Sequence, residues 1–375
     1  MSKLSRTGLW GGGDLKTAPV TVCPLGCNRC VWSCPRITIS FARSILSYQP
    51  FKSAVQNPSN ILLVKTSSLG DVLHNLPVVT DILKRFPAMR IDWVVEENFA
   101  ALPVLHHGVR EVIPIAIRRW RKSWWGSRDE IRAVCRNLRA RHYDLALDTQ
   151  GLLKSALIVC CARTICCGFA WDSAREPLAS LFYNHRFSVT REQHAVERNR
   201  YLAGLALGYR PEGVPDYGIR PPAIARPAWL ENGAYAVLLH ATSRDDKLWN
   251  EANWIALGRY LHDMNIRCVL PWGSAAEQAR SLRLAGAIPD AVAPPRLDLN
   301  KAAALIGGAQ AVIGVDTGLA HLAAALGVPT IGIYTATDPA LTGLYAGRCA
   351  VNLGGVDNAP ETTAVIDALN KAAVC

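Results

Sequence analysis

The sequence predicts an α/β protein of two doubly wound, Rossmann-like domains whose strand ends face a common cleft. Three observations carry this. Short apolar runs alternate with helix-period segments on both sides of a Pro/Gly-rich stretch at 211–227. Several of those runs end on a polar turn that opens a helix. A chain of 375 residues, 50% hydrophobic and 19% charged, can also fill two complete cores. The chain is expected to divide into a disordered extension over 1–60, domains over 61–222 and 233–355, and a C-terminal helix or tail over 356–375.

In the extension, Cys23, Cys27, Cys30 and Cys34 begin with the C-x3-C-x2-C spacing that holds iron–sulfur clusters in radical SAM enzymes. They follow Gly11-Gly12-Gly13 rather than a strand, so no cluster or metal is expected there. The remaining cysteines include the adjacent pairs Cys160-Cys161 and Cys166-Cys167, which suit an apolar helix and strand better than disulfides. This usage points to a reducing, cytoplasmic compartment. The longest apolar candidate for a membrane span, Leu152 to Phe169, is interrupted by Lys154 and Arg163, so no crossing is expected.

Ile61 to Lys65 reads as a buried strand, and Thr66-Ser67-Ser68-Leu69-Gly70-Asp71 turns it into one helix running to about Phe86. Asp71 then stands at the carboxyl edge of the sheet, where open α/β sheets do their chemistry. A carboxylate there is either a helix cap or a proton acceptor. Strands follow at 91–95, 112–115 and 145–147, with a helix over 129–139. Between them, Ile117 to Trp125 interleaves Arg118, Arg119, Arg121 and Lys122 with three tryptophans. The net charge is +11, and 117–142 alone carries +7; with the +6 of residues 1–60, the remainder is near −2. Such a patch attracts nucleic acid, an acidic lipid surface or a phosphorylated substrate. Arg175 lies in a second anion-binding candidate at 173–178.

Beyond the Pro/Gly-rich stretch, Tyr235 to His240 is a strand, and Thr242, Ser243 and Lys247 after it offer two hydroxyls and a compact cation to a diphosphate. Cys268 to Gly273 is a strand and turn, with Glu277 in the first turn of the next helix, suited to accept both hydrogen bonds of a ribose diol. Leu299 to Ile306 is a helix. Ala311 to Val315 is a strand ending on Asp316, and Thr317 and Gly318 open the helix that Gly327 and Pro329 stop; its free N–H groups and dipole suit phosphate. Thr330 to Tyr334 is the last strand read here, closed by a turn at Thr337-Asp338-Pro339.

Five stretches taken together, 65–74, 117–125, 174–184, 240–249 and 316–321, resemble the lipopolysaccharide heptosyltransferase I family, within glycosyltransferase family 9. The resemblance runs from about 61 to 350; residues 1–60 have no counterpart in it. It implies a GT-B glycosyltransferase with an N-terminal acceptor-binding and a C-terminal nucleotide-sugar-binding domain. The implied reaction moves L-glycero-D-manno-heptose from ADP-heptose to the first Kdo of Kdo2-lipid A with inversion. It further implies Asp71, Lys247 and Asp316 as the catalytic set, with Asp71 the general base and Asp316 holding heptose hydroxyls. The donor site would comprise Thr242, Ser243, Lys247, Glu277, Asp316, Thr317, Gly318 and Leu319. The acceptor site would comprise Arg118, Arg119, Arg121, Lys122 and Arg175. No cofactor or metal is expected. Partners would be ADP-heptose, Kdo2-lipid A and the anionic cytoplasmic face of the inner membrane, held peripherally. Two alternatives stay open: heptosyltransferase II, which acts on the next heptose, and a nucleic-acid-binding protein using the basic tryptophan patch, although none is expected as a partner.

Overall fold

In a computed structural model the protein is described over residues 53–56, 58–123, 125–346 and 349–372. The four cysteines of the extension, and Trp124 of the basic run, lie outside the described residues.

The first lobe is a six-stranded parallel sheet: β1 (Asn60–Val64), β2 (Arg90–Glu96), β3 (Val109–Ile115), β4 (Leu145–Asp148), β5 (Ile165–Phe169) and β6 (His185–Phe187), in the order β3-β2-β1-β4-β5-β6. β1 is fully buried from Ile61 to Val64, as its unbroken apolar run requires of a central parallel strand. The lobe begins before residue 61: Asn60 starts β1, and Ala54 N–H donates to Ala206 O at 2.9 Å.

Helices α1 (Leu69–Leu73) and α2 (Leu76–Arg85) replace the single helix expected to run to Phe86. Pro77, in the first turn of α2, explains the break: it has no N–H to donate, and its ring excludes the carbonyl of Leu73. After α3 (Ala101–Val104) come α4 (Ile117–Trp120), α5 (Arg128–Ala140) and α6 (Leu153–Cys161). These last three pack on one face of the sheet around Trp120, Leu138, Ala156, Val159 and Tyr183. The adjacent cysteines fall as expected, Cys160-Cys161 in α6 and Cys166-Cys167 in β5, all free. Helix α7 (Ala195–Leu207) packs on the opposite side, against α2. Buried Arg200 pairs there with Asp81 at 2.7 and 3.2 Å and donates to the Glu212 and Gly213 carbonyls. Gly208 ends α7 at φ +75°, a left-handed cap that glycine adopts without strain.

The second lobe is a five-stranded parallel sheet: β7 (Tyr235–Leu239), β8 (Arg267–Val269), β9 (Ala311–Val315), β10 (Thr330–Tyr334) and β11 (Ala350–Gly354), in the order β11-β10-β9-β7-β8. Its helices are α8 (Glu251–Asp263), α9 (Ala275–Ala287), α10 (Leu299–Gly307), α11 (Gly318–Ala325), α12 (Pro339–Thr342) and α13 (Thr362–Ala372). The expected C-terminal tail is therefore helical over Thr362–Ala372, with Val365 and Leu369 in the core.

In each sheet the strand order reverses once, between β1 and β4 and between β7 and β9. Ligands of open α/β sheets bind outside the carboxyl ends of strands at such reversals. The turns there are 65–71 and 149–152 in one lobe, 240–247 and 316–317 in the other. Two doubly wound sheets facing a cleft are the expected GT-B architecture. Among the described residues no helix is long and apolar enough to cross a membrane.

Candidate active site

Both sets of turns open onto one cleft of about 780 Å³, lined by Lys65, Ser68, Asp71, Gln150, Arg175 and Arg198 on one side and by Thr242, Lys247, Asp316, Thr317 and Thr337 on the other. A second chamber of about 310 Å³ continues from it into the second lobe. Leu69, Thr242, Ser243, Thr317 and Leu319 line both.

Asp71 fills the capping role its position allows and also lines the cleft. Its Oδ2 accepts from the Ser68 N–H (2.8 Å) and Ser68 hydroxyl (3.1 Å), capping α1. Both bonds fall on Oδ2, which leaves Oδ1 without a hydrogen-bond partner among the described residues. Arg175 stands 3.8 Å from Oδ2 and is the one cation of the expected acceptor set that lines the cleft.

Behind Asp71, the buried Lys65 ammonium donates to Thr149 O at 2.7 Å. Burial lowers its pKa to about 8, opposed by the charges of Asp71 and Asp148. Gln150, at the end of β4, accepts from Thr66 N–H and Ser67 N–H at 3.0 and 3.2 Å, so it fixes the β1 turn. Asp148 organises its own turn by accepting from Gln150 N–H, Gly151 N–H and the Tyr183 hydroxyl.

On the second lobe Lys247 Nζ lies 2.6 Å from Asp316 Oδ2, and the Thr337 hydroxyl donates to that same oxygen at 2.8 Å. The Thr242 hydroxyl donates to Asp316 O at 3.0 Å. Two expected catalytic residues thus pair with each other, their side chains 17% and 15% exposed. Asp316 is thereby fixed in orientation, and Lys247 stands beside Thr317, the N-cap of α11, so the cation and the helix dipole serve one volume. Asp246 of the neighbouring acidic pair is engaged by Arg244. Glu277 lines the second chamber with Trp272 and Leu297. Its Oε2 accepts from Gly273 and Ser274 N–H, closing a capping box on α9, while Oε1 has no partner among the described residues.

The two lobes meet through α1 and α11. A Cβ on Gly318 would lie 2.5 Å from Leu69 Cδ2, so glycine is what lets the helix N-termini approach. His74, just after α1, and His321, in α11, are joined Nε2 to Nδ1 at 3.2 Å; His321 Nε2 is 4.0 Å from Asp316 Oδ1. His194 Nε2 donates to Gly343 O at 3.1 Å, and its ring stacks on Tyr345. Burial lowers all three histidine pKa values, His194 to about 4 and His74 well below 6.5, so the rings are neutral near pH 7. Nothing in the local sequence announces the His74–His321 pair, because its two residues lie 247 positions apart.

The basic run is divided by the fold. Trp120 is buried and donates to Glu130 Oε2 at 2.9 Å, so it belongs to the core and not to a stacking surface. Arg119 is held by Glu130 at 2.8 Å through both terminal nitrogens and by Glu97 at 3.3 Å. Arg118 lies over the Phe99 ring, and Arg121 and Lys122 are exposed; none of the four cations lines the cleft. Lys154 of α6 lies within the electrostatic field of Arg118 and Arg121 and donates to the Ser67 hydroxyl at 3.1 Å, linking the run to the cleft rim.

Residues 131–370 match the model of glycosyltransferase family 9 (heptosyltransferase). The chain is 47% identical over 289 residues to lipopolysaccharide heptosyltransferase 1 of Escherichia coli K12, an alignment covering 76% of this chain and 90% of that protein. Among solved structures, the E. coli heptosyltransferase WaaC with ADP superposes with a TM-score of 0.77 at 43% identity, covering 84% of this chain and 99% of that one. The same enzyme with ADP-2-deoxy-2-fluoro heptose superposes with a TM-score of 0.75 at 42% identity, covering 83% and 99%.

Proposed function

The chain belongs to glycosyltransferase family 9, and we propose that it is an inverting heptosyltransferase of the lipopolysaccharide inner core. It takes L-glycero-D-manno-heptose from ADP-heptose and attaches it to the first Kdo of Kdo2-lipid A. The observation that carries this reading is the opposition, across one cleft, of Asp71 at the reversal of the first sheet and the Lys247–Asp316 pair at the reversal of the second. A donor whose nucleotide lies in the second chamber, ribose on Glu277, has its diphosphate at Lys247 and α11. Its sugar then faces Asp71.

The mechanism is one displacement. Asp71 Oδ1 removes the proton from a Kdo hydroxyl as that oxygen attacks the anomeric carbon from the face opposite the diphosphate. Lys247 moves its charge from Asp316 to the departing diphosphate, joined by the Thr242 and Ser243 hydroxyls and the N–H groups that open α11. Asp316, still held by Thr337, accepts hydrogen bonds from heptose hydroxyls. No metal or cofactor is required, since cation and helix dipole already meet the developing charge. Arg175 receives an acceptor anion near the base, with Arg118, Arg121 and Lys122 farther out and Arg119 in a bracing role. The enzyme works peripherally on the cytoplasmic face of the inner membrane, where this amphiphilic acceptor is presented.

The test is ADP release by the full chain with ADP-heptose and Kdo2-lipid A, beside Asp71→Asn. Asparagine keeps an acceptor for the α1 cap and removes only the base. Acceptor-dependent release that falls by about 10²–10⁴-fold in the variant is expected. A parent that releases no ADP in response to acceptor would overturn the reaction; a fully active variant would overturn the base assignment.

A further inference from the structure

The six-residue 3-10 turn Pro177–Phe182 has no place in the chemistry above, and it is apolar on its outer side. Ala179, Ser180 and Tyr183 point into the lobe, whereas Leu178, Leu181 and Phe182 are 51%, 59% and 39% exposed. Helix α6 packs against this turn, with the Cys160 thiol donating to Phe182 O, and adds Leu157 at 55% exposure. Large apolar side chains gathered this way on a bare surface mark a surface that is covered in use.

What surrounds them identifies the cover. The 3-10 turn, α6 and α4 all lie over the same core layer, that of Trp120, Ala156, Ala179 and Tyr183. Leu157 is one turn along α6 from Lys154, whose ammonium lies in the field of Arg118 and Arg121. Arg175, on the cleft wall, comes three residues before Leu178. Exposed leucines bordered by cations beside a cleft mouth have the pattern of an interfacial membrane anchor, apolar groups entering the acyl boundary and cations meeting anionic headgroups.

We propose that Leu157, Leu178, Leu181 and Phe182 form a wedge that inserts into an anionic bilayer, with Arg118, Arg121 and Lys122 on its headgroups, and so sets the cleft mouth against the membrane surface. This deepens the peripheral association proposed above and rests on it.

The experiment is co-sedimentation of the full chain with phosphatidylethanolamine–phosphatidylglycerol vesicles, beside a Leu157→Gln/Leu181→Ser double variant. Both are also assayed for ADP release with a deacylated, water-soluble acceptor. The parent is expected to bind, and to keep part of its binding in about 1 M salt, where screening leaves little electrostatic attraction. The variant is expected to lose about ten-fold or more in partitioning, and all of the salt-resistant part, with unchanged turnover of the soluble acceptor. Equal vesicle binding by parent and variant, or none by the parent, overturns the wedge. So does a parent dimer that the double substitution converts to monomer without altering vesicle binding, since the face would then be covered by a second copy. Turnover of the soluble acceptor reads the proposed reaction independently, so failure of one idea is not mistaken for failure of the other.

Discussion

Arg119 and Arg175 look alike as sequence and differ completely in place. Both are arginines in basic, polar surroundings, and both were expected to bind the acceptor. Arg119 is consumed by Glu130 and Glu97, which stand 11 and 22 residues away along the chain, whereas Arg175 faces the cleft 3.8 Å from Asp71. Residue type and spacing reveal that a charge exists; which carboxylate claims it is a tertiary fact. Arg175→Ala is therefore expected to raise the acceptor KM by roughly 10–100-fold, the range for losing a hydrogen bond to a charged group, with donor KM unchanged. Arg119→Ala is expected to change acceptor KM by about two-fold or less, because Glu97 and Glu130 already neutralise it. Steady-state kinetics with acceptor varied checks both, and equal effects would mean that Arg119 leaves its carboxylates when acceptor arrives. The positions of Asp71, Lys247, Glu277 and Asp316 at the cleft were legible for a different reason. Each follows a buried strand or opens a helix at a sheet's carboxyl edge, so local pattern alone fixes its neighbourhood.

Among elements, the most legible were those with one uniform environment. β1, β9 and β10 are short apolar runs bounded by polar turns and buried almost throughout. Helices α7 and α8 escaped the reading. On α7 the buried side includes Asn199 and Arg200, satisfied by His74 O and by Asp81, which breaks the apolar period that would announce a helix. The α1–α2 break has its signal in Pro77, hidden by an apolar pattern that continues through it.

The contact of α1 with α11 depends on Gly318, whose pro-Cβ direction meets Leu69 Cβ at 2.8 Å as well as its Cδ2 at 2.5 Å. The near atom includes the root of the leucine, so rotation alone does not clear it. Gly318→Ala is expected to hold the helix N-termini apart. That lowers kcat/KM by about 10²-fold, the cost of displacing reacting groups by about 1 Å. The unfolding midpoint should move by only a few degrees, since opening the lobes relieves most of an overlap worth about 1–3 kcal/mol. Thermal melts beside kinetics test this, and a fully active variant would remove the close helix approach from the catalytic geometry.

At the scale of the molecule, two αβ halves around a Pro/Gly-rich connection were visible in the chain, but what lies between the lobes was not. The His74–His321 pair and His194 on Gly343 cross between the lobes, His106 on Thr80 and His240 on Ser281 each lie within one lobe, and all five rings are buried and partnered by residues distant in sequence. Their shared burial has a pH consequence. Burial, reinforced for His106 by the charge of His107, lowers the His106, His194 and His240 pKa values to about 4, and His74 and His321 shift in the same direction. In the unfolded chain these rings titrate near 6.5. Between those limits the unfolded state binds more protons than the folded one, so stability is fully present above about pH 6.5 and is lost as pH falls toward 4. Each ring contributes up to about 1.4 kcal/mol per pH unit in that window. Arg110 and Arg141 lower the Asp92 and Glu111 pKa values and add little there, while burial raises that of Asp148, which acts in the opposite direction. The expected melting profile is nearly flat from pH 7 to 8 and falls steeply below about 6.5, well above the range in which surface carboxylates denature proteins. His240→Gln, which keeps a hydrogen bond to Ser281 and cannot charge, should reduce the slope by about one proton. A profile flat down to pH 5, or a slope indifferent to that substitution, would show that these rings accept protons without leaving their sites.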